Sequence, residues 1–138
     1  MTREELIQVI AQISPDIVVV GGSAQVYHGK KETAKDIDIV VKSLVGFHFL
    51  GHIHCWKTTS PFSKSGKRAF IRRPDCNIDI FIENDLPKHV ITDGVKYETV
   101  SSMIKFYKRV YNEYDELKQW KQRAEIKSKH DAISIYPL

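Results

Sequence analysis

The sequence predicts an α+β fold, a single domain in which helices pack on one mixed β-sheet and a long helix closes the carboxyl-terminal end. Three observations carry this. A short β-branched run, Ile17-Val18-Val19-Val20, stops at Gly21-Gly22, as a buried strand ending in a tight turn does. Two later runs, Asp36-Ile37-Asp38-Ile39-Val40-Val41 and Asn77-Ile78-Asp79-Ile80-Phe81-Ile82-Glu83, alternate acid with isoleucine at the period of a strand. Beyond residue 101 the period becomes helical: Met103, Tyr107, Val110, Tyr111, Tyr114, Leu117 and Trp120 form one stripe, a pattern of core packing far more often than of a base-stacking platform.

Taken in order, Thr2 and Glu5 make a capping box, and Leu6, Val9, Ile10 and Ile13 follow at helical spacing, so a first helix ends before Pro15. Pro15-Asp16 turns the chain into the first strand. Ser23 is expected to cap a brief helix reaching His28, and a polar connection leads to the strand of Asp36 and Asp38. Residues 43 to 50 read as a short helix, and 51 to 59 as either strand or loop. A strand over 67 to 73, the turn Pro74-Asp75 and the strand of Asp79 would form an antiparallel hairpin. Val90-Ile91 and Val95 to Tyr97 flank Thr92-Asp93-Gly94 as a second hairpin or loop. Ser101 or Ser102 caps the longest helix, and residues 125 to 133 continue as another short one.

With 138 residues and 42% hydrophobic content, the chain can bury one real core and has no room for a second domain. No run of 18 apolar residues exists that could span a membrane, and Met1-Thr2-Arg3-Glu4-Glu5 lacks the regions of a signal peptide. The expectation is a soluble, cytoplasmic protein. Cys55 and Cys76 lack Cys-x-x-Cys spacing, which points to reduced thiols.

The chemistry concentrates at residues 17 to 41. The free N–H groups of the turn after Gly21-Gly22, with the Ser23 hydroxyl, would make an anion site for nucleotide phosphates. The strand period places Asp36 and Asp38 on one face and Ile37 and Ile39 on the other. Two acids beside a phosphate cradle suit Mg²⁺ bridging a triphosphate. Asp79 can supply a third carboxylate if its strand pairs beside the first acidic one. Each part alone is a weak signal, and the specificity lies in their order.

The ordered set of Gly21-Gly22-Ser23, twelve residues, Asp36-Ile37-Asp38 and a later lone Asp79 resembles the DNA polymerase beta-like nucleotidyltransferase superfamily. The Gly-Gly turn followed by Lys35-Asp36-Ile37-Asp38-Ile39 is nearest to tRNA CCA-adding enzymes and to the abortive-infection, toxin-like branch. The resemblance covers residues 15 to 83 and fades over the helical part at 101 to 133. It implies a nucleotidyltransferase fold in which Gly21, Gly22 and Ser23 bind the nucleotide. Asp36, Asp38 and Asp79 would be catalytic and hold two Mg²⁺ ions, with Asp79 also a base. The base-reading arginine and acid pair of CCA-adding enzymes, and their added helical domains, have no place in this chain.

Charge points the same way. From 39 to 74 there is no acidic residue, while Lys42, Lys57, Lys64, Lys67, Arg68, Arg72 and Arg73 are all basic. A charge run is ordinarily a solvated face, but one so one-sided, between two acidic strands, would draw a triphosphate or a polynucleotide to the site. Lys64, Lys67, Arg68, Arg72 and Arg73 are therefore candidate substrate or phosphate ligands. Ser63-Lys64-Ser65-Gly66-Lys67 is not a P-loop and reads as a flexible basic loop over the substrate. His48, His52 and His54 lack an acid or cysteine partner at metal-ligand spacing. The expected reaction moves a nucleoside monophosphate from a nucleoside triphosphate to an acceptor hydroxyl, foremost an RNA 3′ end such as that of tRNA. AMP transfer to a protein and a non-catalytic nucleotide or RNA-binding module are the alternatives.

Overall fold

Seven strands form one mixed sheet in the order β3-β4-β5-β2-β1-β7-β6 in the computed structural model. It describes the backbone of residues 1–116 and 120–135, and the side chains of 1–114 and 122–133. In chain order the elements are α1 (Arg3–Ala11), β1 (Ile17–Val20), α2 (Gly21–Tyr27), β2 (Ile37–Val41), β3 (Ile53–Lys57), β4 (Lys67–Ile71), β5 (Ile78–Ile82), β6 (His89–Thr92), β7 (Val95–Glu98), α3 (Val100–Glu116) and α4 (Trp120–Ile135).

Helix α1 starts as the sequence requires. The Thr2 hydroxyl accepts from Glu5 N–H, and the Glu5 carboxylate accepts from Thr2 N–H, satisfying two donors that the first turn leaves free. Its buried residues Leu6, Ile7 and Ile10 cover one face of the sheet, packing on Ile17, Val19, Ile37, Ile39, Ile78 and Ile80. Each fully buried isoleucine there contributes about 1.5–3 kcal/mol by leaving water. The period of two then sends the intervening residues of the strands to the opposite face, where the acids lie.

Strand β2 lies antiparallel to β1 and parallel to β5, and β5 runs antiparallel to β4. The expected 67–82 hairpin is therefore present, and the strand of Asp79 does lie against that of Asp38. The β6–β7 hairpin turns at Asp93 and Gly94, whose φ angles are +51° and +78°. This left-handed pair is what a two-residue hairpin demands and what Asp-Gly supplies cheaply.

Several expectations need correction. Ser23 does not cap α2, which begins two residues earlier at Gly21, after Val20. Residues 43 to 50 hold only a 3-10 turn at His48–Leu50, whereas 51 to 59, open between strand and loop, does contain an edge strand at 53 to 57. The cap of α3 is Thr99, whose hydroxyl accepts from Ser102 N–H at 3.2 Å, and not Ser101 or Ser102. Of the aromatic stripe, Met103, Tyr107, Val110 and Tyr114 are buried, clustered with Ala24 of α2 and with Ile126 and Ile133 of α4. Leu117 and the side chain of Trp120 lie outside the described residues. No helix among the described residues is long and apolar enough to cross a membrane.

Candidate active site

Register brings the acids together. Asp38 of β2 stands directly beside Asp79 of β5, and on its other side faces Val20, the last residue of β1. Asp36 precedes β2 and stays within electrostatic reach of both. Gly21 opens the turn next to Asp38. A Cβ built on it would sit 2.5 Å from Asp38 Oδ2, and its φ is +58°, so both space and backbone conformation demand glycine. Gly22 packs almost as closely, since a Cβ there would lie 3.3 Å from that of Ala34.

These groups line a cavity of about 1050 Å³ between the acidic face of the sheet and α3 with α4. Burial drives the Asp38 carboxyl up to about 6, and the neighbouring Asp79 and Asp36 charges add to the rise. The Gly22 backbone N–H opposes it, while a hydrogen bond with Asp79 favours the proton on Asp38. Asp79 is raised too, chiefly by burial, with Arg68 pulling it down and Asp36 pushing it up. Like charges held this close in a half-buried site cannot all ionise without a compensating cation.

Arg68 supplies part of that compensation. Its guanidinium carbon sits 3.9 Å over the Phe81 ring and 5.4 Å from that of Trp56, and burial lowers its pKa against the pull of Asp79 and Asp38. Its Nε has no hydrogen-bond partner among the described residues. The Nε is itself buried, and an unpartnered buried donor is rare in a folded chain.

The remaining candidates divide. Gly21, Gly22, Asp36, Asp38, Asp79, Lys64 and Arg68 line the cavity; Ser23, Lys67, Arg72 and Arg73 do not. The Ser23 hydroxyl is buried, accepting from the Arg3 guanidinium at 2.8 Å and donating to the Asp36 carbonyl at 3.1 Å. It ties α1 and α2 to the acidic strand instead of facing a phosphate. Arg73 is paired with Asp75 at 2.8 Å and donates to the Leu50 carbonyl. Lys67 is exposed at the start of β4, and Arg72 lies on Phe70 outside the cavity, 5.5 Å from that ring. The loop over 58 to 66 is pinned by Glu83, whose carboxylate accepts from the N–H groups of Lys64 and Ser65. Phe62 anchors it further by packing on Phe106 and Tyr114.

Two cavity residues carried no functional signal in the sequence, Tyr107 reading only as part of the packing stripe. Glu98 ends β7, which runs parallel beside β1. It is only 6% exposed, accepts from the Ser102 hydroxyl at 2.6 Å, and burial raises its carboxyl to about 7. Tyr107 accepts from the Gln25 amide at 3.0 Å, and burial pushes its hydroxyl up to about 12. Only the long-range pairing of β7 with β1 and the seat of α3 bring them there.

For a divalent cation the donors have the right chemistry, since carboxylate oxygens are what Mg²⁺ takes. Among the described residues, no three His, Cys, Asp or Glu side chains already converge as a ligand set. His52 and His54 stand edge to face at 4.5 Å, with no acid among those residues joining them. Comparison with protein-family models, with curated proteins and with solved structures finds no match to this chain.

Proposed function

We propose that the cavity is the active site of a metal-dependent nucleotidyltransferase, moving a nucleoside monophosphate from a nucleoside triphosphate to an acceptor hydroxyl, foremost on RNA. The observation that carries this is the in-register pair Asp38–Asp79 beside a glycine turn that touches Asp38 itself. A glycine so placed lets backbone come up against carboxylate where a phosphate chain and its cation would have to meet.

In this reading the Gly21-Gly22 turn and Arg68 orient the triphosphate, converting binding into alignment for in-line attack. The acceptor oxygen bonds to the α-phosphorus as the bond from that phosphorus to the bridging oxygen breaks, and pyrophosphate leaves with the electron pair. Asp79, in register beside Asp38 and raised chiefly by burial, accepts the proton of the attacking hydroxyl. Mg²⁺ held by Asp36, Asp38 and Asp79 would neutralise the triphosphate and lower the pKa of the acceptor. The cavity of about 1050 Å³ leaves room for the nucleoside.

The test is release of pyrophosphate from each of the four common nucleoside triphosphates with Mg²⁺ and total RNA, run beside Asp38→Asn. Release by the wild type and none by the variant is expected. Equal release by the two would contradict the assignment.

A further inference from the structure

The acidic pair does not end at β5. Across the neighbouring strands Asp38 is followed by Asp79, then Phe70, then His54, each the register partner of the one before. One row over run Val40, Phe81, Arg68 and Trp56. Register partners share a face of the sheet, so the carboxylates pass without interruption into rings and guanidinium groups on β4 and β3. Trp56 is 42% exposed, His54 is exposed, and Phe70 is half-buried with its ring centre 6.1 Å from that of His54. Arg72 lies on Phe70 and Arg68 between Phe81 and Trp56. Among the described residues no further strand lies beyond β3.

We propose that this β3–β4 face binds the acceptor, a single-stranded nucleic acid whose bases stack on Phe70, His54 and Trp56 and whose 3′ end reaches Asp79. The acceptor role rests on the nucleotidyl-transfer reading above. Charge selects the occupant, because the 36 residues from 39 to 74, which include both strands, hold cations and no acid. Flat rings beside guanidinium groups accept the face of any base, and only an unpaired strand can offer its faces. The dimensions agree: strand spacing places Phe70 about 5 Å and His54 about 10 Å from Asp79, a span for about two or three bases. A protein acceptor would gain little from such a track.

The experiment measures fluorescence anisotropy of a labelled oligouridylate of about ten nucleotides, without nucleoside triphosphate or Mg²⁺. Wild type, Trp56→Ala, His54→Ala, Trp56→Phe and Asp38→Asn are compared, each checked for folding by circular dichroism. Losing one stacked ring lowers affinity about 5- to 150-fold. Trp56→Ala and His54→Ala should show that loss, Trp56→Phe should retain most binding, and Asp38→Asn should not bind more weakly. A duplex of equal length should compete poorly. Unchanged binding in both alanine variants, or equal competition by duplex, would overturn the platform. Full transfer to RNA by Trp56→Ala would overturn it while leaving the chemistry standing. Platform binding without any pyrophosphate release would remove the chemistry and leave a binding face. Label on a polypeptide with no oligonucleotide binding would point instead to a protein acceptor.

Discussion

Replacing Glu98 by Gln isolates the cost of a buried carboxylate at the cavity wall. Glu98 is 6% exposed, and burial raises its carboxyl from 4.5 to about 7 while the Ser102 hydroxyl opposes the rise. A raised acid is protonated in the folded chain at a pH where the unfolded chain has already lost the proton. The contribution of Glu98 to stability is therefore highest below about pH 4.5, falls as pH rises toward 7, and is flat above. At 1.36 kcal/mol per unit the penalty above neutrality is on the order of 3 kcal/mol. Gln keeps an oxygen to accept from Ser102 and cannot ionise. In urea denaturation followed by circular dichroism, variant and wild type should match at about pH 4.5, and the variant should be more stable by on the order of 3 kcal/mol at about pH 8. A stability difference that is the same at both pH values would refute the reasoning, because packing changes do not titrate.

Gly21→Ala should cost about 1–3 kcal/mol from the left-handed backbone alone, with more from the clash at Asp38, read as a lowered urea midpoint. An unchanged midpoint would mean that the close approach is not real. Asp38→Asn should melt above the wild type at about pH 8 without Mg²⁺, since the raised Asp38 carboxyl loses stability as pH climbs from 3.8 to about 6 and the full cost stands above that. Mg²⁺ should raise the melting temperature of the wild type and leave the variant unmoved, whereas an equal rise in both would place the cation elsewhere. Arg68→Ala should move the Asp79 titration upward in carbon-13 NMR, because the guanidinium is what pulls it down; a downward move would contradict the placement of Arg68.

Local signals were the legible ones. The Thr2 and Glu5 cap, the Asp-Gly turn and the acid–isoleucine alternation each constrain a few neighbouring residues, and each appears where the sequence places it. The juxtaposition of Asp38 with Asp79 needed an assumption of strand pairing, because alternation gives the face and not the neighbour. Ser23 departs from expectation for a physical reason: a serine after two glycines looks like a cap, and only the three-dimensional seat of Arg3 and the Asp36 carbonyl shows its hydroxyl in use. Edge strand β3 was ambiguous because four of its five residues are exposed and no burial alternation marks it. Glu98 was invisible since a lone acid before a helix carries no message until β7 is laid parallel to β1.

The most direct test of the central claim follows the fate of the phosphates. The protein is incubated with Mg²⁺, total RNA and a nucleoside triphosphate labelled with ³²P at either the α or the γ position, beside Asp38→Asn. Nucleotidyl transfer requires α label to become RNA-bound with the wild type alone and γ label to leave in pyrophosphate. Label entering RNA from the γ position, or equally from both proteins, would contradict it.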